Sequence, residues 1–227
     1  MRHHHAVKTV ISCVAVVCSL LSLNVAHAAG GYVKNAVSYE MPVNAAGNVF
    51  AAGVGGLTAN GGGHKPTVLE LPTMRNPFIV FTSVLGTVSC CGGGSMFNGP
   101  EGGTFAGGST DITSSGGISG IIDHNRTMFL VGVFVGSPGP KAPGPERLDV
   151  TYASSKEDVY PKLDQTFYIG NGKVLKGGQN RQRIHVPVGA SHLVLGFADS
   201  NGFHGAPSEY DDNKGELHVK LTIAPKY

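Results

Sequence analysis

The sequence predicts an all-β protein, an antiparallel β-sandwich, and three observations carry that prediction. The apolar runs are short, and the clearest of them alternates with a period of two. Glycine and proline, 34 and 13 of 227 residues, fall mostly between those runs, as many short strands joined by turns require. No ten-residue helical pattern is present to supply crossovers, so antiparallel pairing is expected.

The first element is a leader. Arg2 and Lys8 make a positive start, no acidic residue precedes Glu40, and residues 10–23 are almost wholly apolar. That length suits the core of a signal peptide better than a bilayer span. Ala26-His27-Ala28 supplies the small-x-small pattern of signal peptidase, so cleavage is expected after Ala28. Residues 29–227 then form one exported domain, secreted or periplasmic. The His3-His4-His5 tract goes with the removed segment and takes no role. Of 17 Lys plus Arg, Arg2 and Lys8 leave with the leader, and the mature domain is 15 against 15. A neutral chain has no field with which to grip nucleic acid or an anionic membrane. Nothing after the leader calls for membrane insertion, and the oligomeric state stays open.

The strands follow in order. Residues 78–81 and 128–135 are apolar runs bounded by Gly, Pro or Asn, and residues 165–169, 184–186 and 193–198 read the same way. In residues 216–223, Leu217, Val219, Leu221 and Ile223 alternate with Glu216, His218, Lys220 and Thr222. That is a strand with one wet and one buried face. Between the runs, residues 53–63 and 92–120 are rich in Gly, Ser, Thr and Asn and read as long surface loops. The proline-rich residues 137–145 read as an exposed connection. Cys90 and Cys91 are the two cysteines left after the leader. As neighbours they can form a vicinal disulfide, stay free or pair between chains, but they cannot build a disulfide framework.

One segment carries chemistry. Residues 199–215, DSNGFHGAPSEYDDNKG, gather Asp199, Glu209, Asp211, Asp212 and Asn213 around one basic side chain, Lys214. Crowded oxygen donors on a turn suit a hard cation such as Ca²⁺, which takes six to eight oxygens. The spacing is not that of an EF-hand, and Asp, Asn and Gly are also ordinary turn residues.

The same residues bring a resemblance. The approach VPVGASHLVLGFAD ending at Asp199, the turn Tyr210-Asp-Asp-Asn-Lys-Gly215 and a final strand resemble the calcium-dependent galactose-binding lectins of pseudomonads and related secreted bacterial envelope proteins. Upstream, Asn76-Pro77, Gly86, Gly99-Pro100-Glu101-Gly102 and Ile169-Gly170-Asn171-Gly172 follow the same order, so the likeness spans residues 76–223. It implies a galactose-binding-like sandwich.

The resemblance also implies a calcium shell. Asp199 would give both carboxylate oxygens, Asp212 and Asn213 side-chain oxygens, and Glu209 and Cys90 backbone carbonyls. Two departures stand out: extra residues within 200–208, and a carboxylate at Asp212 in place of an amide. The family's pocket histidine is missing from Gly103-Thr104-Phe105-Ala106, and His204 or His124 would have to replace it. Phe203 is suited to stacking on a sugar face or to capping the loop. The implied function is non-catalytic binding of galactose-type carbohydrate through a shared Ca²⁺. The alternative is a structural or adhesive envelope protein whose calcium only stiffens the loop. No facing carboxylate pair outside this cluster and no G-x-S-x-G motif argues for an enzyme.

Overall fold

The computed structural model describes residues 35–52, 62–92, 94, 97–174 and 180–226. The leader, residues 1–28, and most of the 53–63 loop lie outside the described residues. The described residues form thirteen strands: β1 (Val37–Asn44), β2 (Thr67–Glu70), β3 (Pro77–Ser89), β4 (Thr110–Ile112), β5 (Ile121–Asp123), β6 (Val131–Gly136), β7 (Leu148–Asp149), β8 (Asp158–Val159), β9 (Thr166–Tyr168), β10 (Arg183–His185), β11 (Ala190–Gly196), β12 (His204–Gly205) and β13 (Lys214–Pro225). Short 3₁₀ turns punctuate them, and the described residues contain no α-helix.

The strands make three sheets, ordered β1-β13-β3-β10-β8, β2-β11-β6-β9 and β12-β4-β5-β7. The long pairings are antiparallel, as the turn-rich sequence predicts. Three short ones are parallel, β10 with β8, β12 with β4 and β5 with β7. Those strands are two or three residues long and are reached through long connections, which parallel neighbours need.

The sandwich proper lies between the first two sheets. Leu217, Val219, Leu221 and Ile223 of β13 are fully buried against Phe134 of β6, Phe167 of β9 and Leu193 and Leu195 of β11. The period of two in β13 is therefore the register of a half-buried strand. On the opposite face of the middle sheet, Val131, Val133, Val135 and Val194 meet Ile112, Ile118, Ile121 and Val150 of the small sheet's region. That second layer explains why β6 reads as an unbroken apolar run: both of its faces are covered. The run begins later than residue 128, however, because Met128 has a left-handed backbone, φ 52°, and cannot extend β6.

Residues 92–120 depart from the loop expectation. They contain β4, and Ile112 and Ile118 are fully buried. Two isoleucines in a Gly- and Ser-rich stretch are enough to anchor it to the core. β1 comes from a segment with no strand expected, pairing with β13 along its whole length, Val37 opposite Ile223 to Asn44 opposite Glu216. Its Pro42 removes a backbone donor, which an edge strand tolerates. Residues 137–145 do form a connection, between β6 and β7, with cis peptides before Pro138 and Pro143.

Candidate functional site

Four chain segments converge at one end of the sandwich because of strand register. Ser89 at the end of β3 lies opposite Lys214 at the start of β13, so Cys90 and Asn213 are neighbours. The Ala45 amide, just past β1, donates to the Gly215 carbonyl at 3.0 Å, bringing the end of β1 to the same place. Asp199 follows β11 closely. Gly215 permits the convergence: its φ is 100°, and a Cβ there would lie 2.2 Å from the Thr87 carbonyl oxygen. Only glycine tolerates both conditions.

Asp199 is 2% exposed. Its Oδ2 accepts from Asn213 Nδ2 at 2.7 Å, and its Oδ1 from the Ser200 amide at 2.7 Å. Its own amide donates to the Tyr210 hydroxyl at 2.8 Å, and that hydroxyl donates to the Phe197 carbonyl at 3.2 Å. Every hydrogen-bond donor named on the carboxylate is neutral. Burial consequently pushes the Asp199 acid up to about 7, against the lowering effect of the Asn213 and Ser200 bonds, and the charges of Asp212 and Glu209 add to the rise.

Asn213 is buried as well. Its Nδ2 also donates to the Ala45 carbonyl at 3.3 Å, while its Oδ1 is buried with no hydrogen-bond partner. A stranded buried acceptor costs about 1–3 kcal/mol. Asp212 is half-buried. Its Oδ1 accepts from the Cys91 amide at 3.2 Å and its carbonyl from the Gly92 amide at 2.9 Å. Two candidate carbonyls already have partners: that of Glu209 accepts the Asp212 amide at 3.4 Å, and that of Cys90 the Ser89 hydroxyl at 2.9 Å.

The structure thus brings Asp199, Asp212, Asn213 and Cys90 together, with the Glu209 carboxylate exposed beside them. Among the described residues no group of three or more His, Cys, Asp or Glu side chains is arranged to hold a metal. Any cation here would be held by two carboxylates, one amide and backbone carbonyls. The expectation missed the Ala45 carbonyl and the Tyr210 hydroxyl. The alternation of Val37, Tyr39, Met41 and Val43 marks β1 as a strand, but only its pairing with β13 brings Ala45 to this place.

Phe203 is corrected by the structure. It is 2% exposed and belongs to the main core, although its φ is 61°. A buried ring offers no face to a sugar, so of its two expected roles only the cap is possible. The loop around it is closed by its own bonds. The Ser200 hydroxyl reaches the His204 and Ala206 carbonyls, Asn201 donates to the Ser208 hydroxyl, and Ser208 donates to the Asp199 carbonyl. The extra residues therefore fold onto the small sheet, where β12 pairs with β4, and spend their polar groups on themselves. His204 is exposed and is tied by Nδ1 to the Gly202 carbonyl at 2.7 Å and by Nε2 to the Ser109 hydroxyl at 3.3 Å. His124 lies 3.5 Å from Asp149 on another exposed surface. No protein-family model, curated protein or solved structure matches this chain.

Proposed function

We propose that this protein is a non-catalytic, calcium-binding β-sandwich of lectin-like architecture, whose ion fastens the turn of residues 209–213 to the ends of β1, β3 and β11. The observation that carries this reading is the stranded Asn213 Oδ1 beside the buried Asp199 carboxylate. Half a turn of the Asn213 amide exchanges its nitrogen for oxygen. Asp199 Oδ2, Asn213 Oδ1 and the Ala45 carbonyl would then face one another, an arrangement that a cation between them, or below pH 7 a proton on Asp199, relieves. The negative charge of Asp212 adds to the attraction.

The ion has two possible uses. In the carbohydrate reading it keeps open positions for vicinal hydroxyls of a galactose-type sugar, approached past Asp212 and Glu209. In the structural reading protein oxygens close the shell. The burial of Phe203 favours the second, because the aromatic platform expected beside the sugar is absent.

Thermal melts in calcium and in chelator test the ion. A ligand at one hundred times its Kd adds about 2.7 kcal/mol, so the melting temperature should climb with calcium. Asp199→Ala should abolish most of that rise. Identical curves in both buffers would reject the calcium reading. Calorimetry with millimolar galactose in saturating calcium then separates the two uses: heat supports carbohydrate binding, and none leaves the structural role.

A further inference from the structure

The calcium reading leaves Cys90 and Cys91 unexplained, and their backbone is part of the same site. Both thiols are free, Cys90 buried and Cys91 exposed. The peptide between them is committed. Its N–H, from Cys91, donates to Asp212 Oδ1, and its carbonyl, from Cys90, accepts the Ser89 hydroxyl. The next amide, Gly92, holds the Asp212 carbonyl. Asp212 is therefore fixed from the cysteine side by two consecutive N–H groups.

Resting on the calcium reading, we propose that Cys90 and Cys91 form a two-electron redox switch that weakens cation binding at Asp212 when it closes into a vicinal disulfide. The geometric reason is the reach of the bond. Neighbouring Cα atoms across a trans peptide are about 3.8 Å apart, whereas disulfides usually span about 4.4–6.8 Å. Closing a bond between adjacent cysteines therefore has to turn or bend the peptide that joins them. The turned peptide carries its N–H away from Asp212 and swings the Cys90 carbonyl, a candidate ligand, out of its present direction. Cys91 already has a left-handed backbone, φ 62°, with Gly92 beside it at φ 78°, so the segment is a sharp turn and not a ladder that would resist rotation.

The chemistry balances with a small-molecule disulfide as oxidant. The exposed Cys91 sulfur, as thiolate, attacks oxidised glutathione, forming a mixed disulfide and expelling one glutathione thiolate. The Cys90 thiol gives up its proton, and its sulfur attacks the Cys91 sulfur and expels the second glutathione. Two protein thiols and one oxidised glutathione become one protein disulfide and two reduced glutathiones. Cys91 is exposed to the oxidant and Cys90 is buried, so Cys91 makes the first attack and the second step is the slower one.

Calcium titration calorimetry on the protein, equilibrated in reduced or in oxidised glutathione, tests the switch. Mass spectrometry should show the oxidised form lighter by two hydrogens, and its calcium affinity should be roughly tenfold weaker. By reciprocity, calcium should lower the oxidised-to-reduced ratio at fixed glutathione by the same factor. Cys91→Ser should bind calcium alike in both buffers. A ring that forms without changing the affinity overturns the switch, as does a product that stops at the mixed disulfide. In both cases the reduced protein still binds calcium, so the calcium reading survives. Absence of calcium binding in the reduced protein overturns both.

Discussion

Two buried aspartates in this sandwich solve the same electrostatic problem in different ways. Asp123, at the end of β5, is fully buried, and Arg126 three residues on donates to its Oδ2 from Nε at 2.9 Å and Nη2 at 2.6 Å. The Asn125 amide takes Oδ1 at 2.9 Å. The guanidinium in turn reaches the Val150 carbonyl at 2.9 Å and lies 4.3 Å from the Tyr168 ring centroid. Asp199 is buried to nearly the same degree, and its carboxylate is met by an amide side chain and a backbone N–H. One carboxylate has a cation from its own chain; the other has only dipoles. Transferring a carboxylate out of water is affordable only with a compensating charge or a proton. The contrast marks Asp199 as the place where something from outside the chain is wanted.

The largest expected effect breaks the self-sufficient member of the pair. Arg126→Met leaves Asp123 buried and unpaired and should destabilise the fold by roughly 3–5 kcal/mol. Calcium should not restore the loss, because the methionine side chain fills the space between Asp123 and the Val150 and Thr151 carbonyls that the guanidinium holds. Urea denaturation in calcium and in chelator measures both points. A loss below 1 kcal/mol, or one that calcium repairs, would erase the distinction between the two aspartates.

The second effect is on Asp199 in metal-free protein. Its folded-state pKa of about 7 stands above the ordinary 3.8, so the folded protein binds this proton more tightly than the unfolded one. Stability is then full below pH 4 and falls as pH rises towards 7, by roughly 4 kcal/mol from this group. On the calcium reading the ion would take the proton's place as the compensating charge, so in saturating calcium the fall should vanish. Asp199→Asn should flatten the profile in chelator as well. A metal-free melting temperature that rises between pH 4 and pH 7, with Asp199→Asn unchanged from it, would contradict this assignment.

The two aspartates were unequally legible in the sequence. Asp199 ends an apolar run and opens a stretch dense in Asp, Asn and Gly. Asp123 sits in D-H-N-R, which has the look of any polar turn. Its burial comes from Ile121 and Ile118 beside it, which anchor the small sheet to the second face of β6. The all-β class and strand β13 were readable because alternation in one segment needs no knowledge of partners. The small sheet was not, since its strands have two or three residues, too few to show any period. The burial of Phe203 was equally hidden: Gly202 and Gly205 on either side signal a turn but not which way its aromatic residue faces.

The smallest expected effect sharpens the comparison within the Asp199 site itself. Asp212 is half-buried, and its side chain accepts one hydrogen bond, from the Cys91 amide. Asp212→Asn keeps an oxygen for that bond, so in chelator at acidic pH the fold should change by no more than about 0.5 kcal/mol. Removing the charge acts on the cation instead. One negative ligand fewer should weaken calcium on the order of tenfold, less than Asp199→Ala, which takes away two oxygens. A second consequence has the opposite sign. The Asp212 charge helps to raise the Asp199 acid, so Asp212→Asn should bring that value down and make the metal-free loss of stability between pH 4 and 7 shallower. Calcium titration and a pH series of melts on the same variant read the two effects separately. Weaker calcium with a shallower pH profile is what one shared electrostatic site requires. If Asp212→Asn left both unchanged, Asp212 would be only a turn residue, and the cation site would be reduced to Asp199, Asn213 and backbone carbonyls.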